Sequence, residues 1–203
     1  EGSAMTMRRD EALKILAAHC PDEIVVPVFQ SAFDWMKIRP HELNYLCIGA
    51  MGQASSHALG LALGCTDQKV LILDGDGSLL MNLGSLVTIG SCAPENLWHF
   101  VLHNGIYEVN GEFPIPGRLE TDFSSIATAA GFPRSYNFDD IEEFRKGLPE
   151  VLAGSGPVFV CLKATSSPST IISLLFDDPI VIRLRTKGIF CVLPETVKIG
   201  VIF

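Results

Sequence analysis

The chain has 203 residues, 48% hydrophobic and 19% charged, which is ample apolar material for one buried core and argues against disorder. Its 15 basic and 23 acidic residues leave a formal net charge of −8, with no basic stripe to neutralise nucleic-acid phosphates. No apolar stretch reaches the ~18 residues of a membrane span. Six cysteines lack both a C-x-x-C pair and a histidine at zinc-ligand spacing; most sit in apolar runs, as small core residues of a reduced, cytoplasmic protein do.

The opening residues 1–6 read as an expression remnant outside the fold. Residues 8–19 predict a helix with Ala12, Ile15, Leu16 and His19 on one face and Asp10 as its N-cap. Valine-rich 23–29 predicts a buried strand, and 45–48 a second. The small-residue stretch 49–64 is helical in pattern, with room for close backbone approach at its start. Next come a strand at 69–73, ended by Asp74-Gly75-Asp76-Gly77, a helix over 78–91 and a strand at 97–102. After a Gly- and Pro-containing loop at 104–118, helices are predicted at 122–130 and 139–153, the second opening on Asp139, Asp140, Glu142 and Glu143. A strand at 157–162 closes the pattern. Residues 166–203, Ser/Pro-rich and then β-like, are expected to form an arm or edge addition rather than a second domain. Strands apolar on both faces, alternating with helices, predict one α/β domain over 7–165: a mostly parallel sheet with helices on both faces.

Ligands of such sheets bind beyond the carboxyl ends of the strands, which directs attention to Gln30-Ser31, Gly49 to Gly52, Gly75 to Ser78 and His103 to Asn110. In Gly75-Asp76-Gly77-Ser78 the glycines admit a close ligand, and free N–H groups at a helix start favour a phosphate. Asp76 would repel that phosphate unless a divalent cation lay between them, and magnesium takes such mixed protein and phosphate oxygens. An ordinary strand-ending turn with a helix cap accounts for the same four residues. Asn104 follows the next strand, 28 residues downstream. A helix and a strand between them return the chain beside Asp76, so that the Asn104 side chain and the Ile106 carbonyl become further oxygen donors. A P-loop is excluded, because no G-x-x-x-x-G-K-[ST] occurs.

The Gly-Asp-Gly-Ser segment followed by the Asn104 turn resembles the cofactor motif of thiamine diphosphate enzymes. The resemblance implies a diphosphate-bound magnesium ion held by Asp76, Asn104 and the carbonyl of Ile106. Upstream, Gly49-Ala50-Met51-Gly52 is similar to the family's segment in which a large apolar residue, here Met51, bends the cofactor into a V. The Gly49 carbonyl would accept from the aminopyrimidine. Gly75, Gly77, Ser78, Ala50 and Tyr107 complete the implied cofactor contacts. More narrowly, residues 7–17, 48–64, 70–89 and 104–108 resemble the short β-type subunit of sulfopyruvate and phosphonopyruvate decarboxylases. That resemblance implies decarboxylation of a 2-oxo acid, an oligomer, and a separate pyrimidine-binding alpha subunit that supplies the catalytic glutamate.

His103, Glu108 and Asn110 are the candidates for proton handling. Each has a structural alternative: a strand-end hydrogen bond, a solvated loop acid, and an Asn-Gly turn. His19, His41, His57 and His99 lack partner clusters and read as structural. The chain departs from the family at His103, where Asn or Asp is usual, and at Val109 to Phe113, which replaces a Ser-Thr-Gly-Gly-Gln segment. The strand end at 28–31 also lacks the small residues expected against a diphosphate. Carboligation, oxidative decarboxylation or a non-catalytic cofactor-binding role remain alternatives on these residues.

Overall fold

The structure is a computed structural model that describes residues 7–166. The expectations for residues 1–6 and for the arm beyond residue 166, and Cys191, lie outside the described residues.

Strand β1 (Met7–Arg8) leads into α1 (Arg9–His19), β2 (Ile24–Pro27), α2 (Phe29–Ile38) and α3 (Ala54–Gly64). Then follow β3 (Val70–Gly75), α4 (Asp76–Met81), α5 (Ser85–Cys92), β4 (Leu97–His103), and a short ribbon of β5 (Ile106–Tyr107) and β6 (Phe113–Pro114). The chain continues through α6 (Phe123–Ala129), β7 (Arg134–Phe138), α7 (Ile141–Leu152) and β8 (Val158–Thr165). The main sheet is parallel throughout, in the order β2-β3-β4-β8, with β7 on the far side of β8 and β1 beside the end of the same strand.

Strands β3, β4 and β8 are almost wholly buried because both faces are covered, as the run of Val, Leu, Ile and Phe in each requires. On one face Val70, Ile72, Leu97, Val101 and Phe159 meet α3, α5 and α6. On the other, Leu71, Leu73, Trp98, Phe100 and Val160 meet α1, α2 and α7. The indole of Trp98 is fully enclosed and donates to the Val151 carbonyl at 2.9 Å, so its one polar atom is satisfied. Burial pushes the thiols of Cys20 and Cys161 up to about 12, and burial together with the charge of Asp74 pushes Cys47 up to about 11. These are protonated core thiols, as the sequence implied. All five cysteines among the described residues are free. No helix among the described residues is long and apolar enough to cross a membrane.

Several expected elements differ. Residues 45–48 form no strand; the segment touches β2 only through isolated bridges at Val25–Asn44 and Val28–Cys47. Val25 donates to Leu43, Tyr45 donates back to Val25, and Cys47 donates to Pro27. The bond that would complete the ladder needs an N–H on Pro27, which proline lacks. The helix expected from 49 begins at Ala54, because Gly49 and Gly52 take positive φ (87° and 78°) and keep the segment as a loop. The helix expected over 78–91 is two helices, broken where the Asn82 side chain leaves the helix to donate to the Gly52 carbonyl at 2.9 Å. Asp10 is not the N-cap of α1; Arg8 occupies that position, and Asp10 pairs with Arg8 and Lys14 in the first turn. His19 is exposed, and Leu13 takes its place on the buried face. His99 lies inside β4, buried beside Asp74 at 3.5 Å.

The acidic start of α7 does cap it: Asp140 accepts from the backbone N–H groups of Glu142 and Glu143 at 2.8 and 3.0 Å. Asp140→Ala removes both bonds at an exposed helix end. It should cost about 1 kcal/mol, read as a lower urea midpoint with an unchanged slope.

Candidate functional site

A cleft of about 60 Å³ opens at the carboxyl ends of β2, β3 and β4. Its lining comes from the start of α2 (Phe29, Gln30, Ser31), from Met51, from Gly75 to Ser78, and from Asn104 and Ile106 to Val109, with Arg9 reaching in from α1. Five segments distant in sequence thus meet where a parallel sheet places its ligands. Gly49 and Ala50 belong to the Met51 loop but do not line the cleft; Gly49 is exposed.

At the turn from β3 into α4, Asp76 is 2% exposed. Its Oδ1 accepts from the Gly77 N–H at 2.7 Å and its Oδ2 from the Gly105 N–H at 2.6 Å. Burial pushes its pKa up; the Gly105 and Gly77 bonds, His103 and Asn104 oppose that shift. The carboxylate is therefore buried, preorganised, and partnered by dipoles rather than by a side-chain cation in close contact. Such a group favours a cation beside it. Asn104 lies at the end of β4: its Oδ1 accepts from the Ile106 N–H at 3.0 Å, and its Nδ2 donates to Glu108 at 3.1 Å. Ile106 stands opposite Pro114 as a non-hydrogen-bonded pair of the ribbon, with the flanking bond running from the Ile115 N–H to the Gly105 carbonyl, so the Ile106 carbonyl turns away from β6.

The Met51 loop is fastened to α4 from both sides. The Gly52 N–H donates to Ser78 Oγ at 3.0 Å, while Asn82 holds the Gly52 carbonyl. Ser78 is therefore buried structure as well as cleft lining. Tyr107 lies over Gly77: a Cβ there would come within 2.5 Å of the Tyr107 ring. Only glycine lets the ribbon approach the strand end this closely. Phe29 takes a left-handed φ of 42° at the cleft edge, a conformation costly for a bulky residue. This is the strand end where the sequence lacks small residues.

The three residues singled out for proton handling are separated. Glu108 lines the cleft. His103 is fully buried behind Asp76, its Nε2 at 3.8 Å from Asp76 Oδ2 and at 2.8 Å from the Arg118 carbonyl. Because a carbonyl only accepts, Nε2 carries the proton, and Nδ1, at 3.7 Å, accepts from the Cys161 thiol. The Phe123 ring closes the remaining side at 5.0 Å. Asn110 is exposed and ends in the turn formed by Gly111 at φ 88°, outside the cleft lining.

Sequence reasoning missed Arg9, which is 4% exposed although it opens a helix. It meets Glu108 through two nitrogens and Asp34 through Nε at 2.8 Å. Burial would lower its pKa, but Glu108 and Asp34 outweigh that and hold it above the ordinary arginine value. The adjacent Arg8-Arg9 pair gave no sign of which arginine turns inward; two acids 25 and 99 residues away decide it.

The family described as "Thiamine pyrophosphate enzyme, C-terminal TPP binding domain" matches residues 27–162. The sulfopyruvate decarboxylase subunit beta of Methanococcus maripaludis is 35% identical over 161 residues, 79% of this chain and 85% of that protein. The phosphonopyruvate decarboxylase of Streptomyces viridochromogenes is 34% identical over 163 residues, and this chain spans only 40% of its length. Among solved structures, a Rhodococcus jostii thiamine diphosphate-dependent 4-hydroxybenzoylformate decarboxylase shares the fold at a TM-score of 0.63 and 18% identity, over 83% of this chain and 34% of that one. The chain belongs to the thiamine pyrophosphate enzyme family, with residues 27–162 as its C-terminal TPP binding domain.

Proposed function

We propose that this chain is the diphosphate- and magnesium-binding subunit of a thiamine diphosphate-dependent 2-oxo-acid decarboxylase of the sulfopyruvate/phosphonopyruvate type. A pyrimidine-binding partner subunit supplies the catalytic glutamate. The reading rests above all on the meeting of buried Asp76 with Asn104 and Ile106 at one strand-end cleft. The name of the Methanococcus relative, a beta subunit, supports the division into two chains.

The donors suit the ion. A carboxylate, an amide oxygen and a peptide carbonyl form an all-oxygen set of the kind magnesium takes. Among the described residues no three His, Cys, Asp or Glu side chains come together as a metal cage, so phosphate oxygens would complete the shell. When bound, the cofactor supplies the electron sink for loss of carbon dioxide from a 2-oxo acid. This chain's own residues bind and orient. Asp76, Asn104 and the Ile106 carbonyl hold the ion. Gly75, where a Cβ would meet nothing within 4 Å, leaves room for the diphosphate, Gly77 admits the Tyr107 ring, and Met51 stands on a clamped loop as the support beneath the cofactor. Tyr107 and Val109 cover one wall. His103 acts through Asp76, whose carboxylate it backs.

The full chain, titrated calorimetrically with thiamine diphosphate, should release heat with magnesium and none with EDTA. Combined with a pyrimidine-binding subunit, it should release carbon dioxide from 3-sulfopyruvate or 3-phosphonopyruvate. Acetolactate from pyruvate, with neither of those substrates consumed, would move the assignment to a carboligase.

A further inference from the structure

We infer that Arg9 is a positioning residue for the metal site: by gripping Glu108 it fixes which end of the Asn104 side-chain amide faces the ion. The inference rests on the reading of Asn104 as a magnesium ligand.

An asparagine amide has an accepting end and a donating end of nearly equal shape, and only its surroundings decide which points where. Only the oxygen can ligate a cation. Two side chains meet the Asn104 nitrogen: Glu108 Oε2 at 3.1 Å and Ser166 Oγ at 3.4 Å. A hydroxyl both donates and accepts, so Ser166 tolerates either orientation. An ionised carboxylate only accepts, so Glu108 tolerates one. With Nδ2 on Glu108, Oδ1 lies at the opposite side, where the Ile106 N–H, which can only donate, favours the same orientation at 3.0 Å and leaves a lone pair for the ion.

Glu108 can play this part only if its own position is fixed. Its side chain is 12% exposed and lies on a short turn after β5. The guanidinium of Arg9, 5% exposed, holds both of its oxygens: Nη1 to Oε2 at 2.5 Å and Nη2 to Oε1 at 3.2 Å. Two parallel bonds fix the plane of the carboxylate as well as its place, which a lysine could not do. Gln30 adds a longer contact at 3.5 Å. Without Arg9 the carboxylate would be a buried charge without its cation. It would turn toward water and leave the Asn104 amide oriented by the Ile106 N–H alone.

Arg9 also ties α1 to α2 through Asp34 at 2.8 Å, a purely structural duty that must be separated from the proposed one. Asp34→Asn weakens that tie and leaves the Glu108 grip. The experiment measures, for the full chain, the magnesium concentration that half-saturates thiamine diphosphate binding, together with unliganded melting. Arg9→Met and Glu108→Gln should raise that concentration about ten- to a hundredfold, the usual cost of losing a residue that orients a metal ligand. Arg9→Lys should restore only part of the loss. Asp34→Asn should melt earlier but keep the wild-type magnesium requirement within about twofold.

Folded Arg9→Met or Glu108→Gln with the wild-type requirement overturns the inference and leaves the site assignment standing. An equal shift in Asp34→Asn overturns it too, since helix docking would then be the cause. If Arg9→Met does not fold, Glu108→Gln decides alone. Wild-type chain that binds no cofactor with magnesium overturns the site assignment and the inference together.

Discussion

Asp76→Asn should abolish magnesium-dependent binding of thiamine diphosphate in a chain that still folds. The substitution keeps shape but removes the charge, and the loss should exceed about a hundredfold, since even residues that only orient metal ligands are worth about ten- to a hundredfold. Two effects on the fold oppose each other. One asparagine oxygen can accept from Gly77 or from Gly105 but not from both, and a buried N–H left unpaired costs about 1–3 kcal/mol. Against this, burial raises the wild-type carboxyl's pKa. In the fold, the ionised form is therefore disfavoured relative to the unfolded chain. That penalty is absent below the unfolded pKa and grows as pH rises through the higher folded one; asparagine does not incur it. The unliganded variant should therefore show a smaller loss of stability across that interval, followed by urea midpoints at a series of pH values. Metal-dependent heat surviving in Asp76→Asn would remove Asp76 from the site.

Gly90→Ala should produce the largest loss of stability from the smallest change in volume. A Cβ on this α5 residue would lie 2.1 Å from the Ala130 carbonyl oxygen and 3.1 Å from the Gly131 Cα, both backbone atoms that no side-chain rotation can move. Overpacking of this kind costs about 3 kcal/mol, while alanine's better helix propensity returns only about 1 kcal/mol. The net is a fall of about 4–8 °C in melting temperature. Gly60→Ala in α3 is the control, because a Cβ there meets nothing within 4 Å; propensity acts alone and stability should rise. A Gly90→Ala chain as stable as wild type would show that the contact between α5 and the end of α6 is looser than its geometry.

The parts of this fold that could be read from sequence are those governed by continuous patterns. The apolar runs of β3, β4 and β8 left no choice but a sheet buried on both faces, and the acidic group Asp139, Asp140, Glu142 and Glu143 marked the start of α7. Helix α2 escaped notice because its first residue has a left-handed backbone at Phe29, so the run 23–29 reads as an uninterrupted strand. Strand β7, Arg134-Ser135-Tyr136-Asn137-Phe138, carries too little apolar character to declare itself; pairing with β8 makes it a strand.

The cleft divides in the same way. Gly75 to Ser78 and Asn104 to Tyr107 stand at strand ends, where topology alone brings them together. His103 was visible as a strand-end residue, but not that Arg118, Cys161 and Phe123 enclose its ring. The partnership of Arg9 with Glu108 spans 99 residues, and no local pattern carries information over that distance.

The position of β8 has a consequence for the order in which the molecule can be made. This strand, late in the described chain, lies between β4 and β7 and also receives β1. A nascent polypeptide that has emerged through α7 already holds β2, β3 and β4, yet one side of β4 is an unpaired, largely apolar edge. Such an edge is a template for association with other chains. Only emergence of Val158–Thr165 shields it and fixes β7 and β1 in the same event. Translational pausing before residue 158 would therefore expose the chain to aggregation, whereas pausing after residue 165 would not.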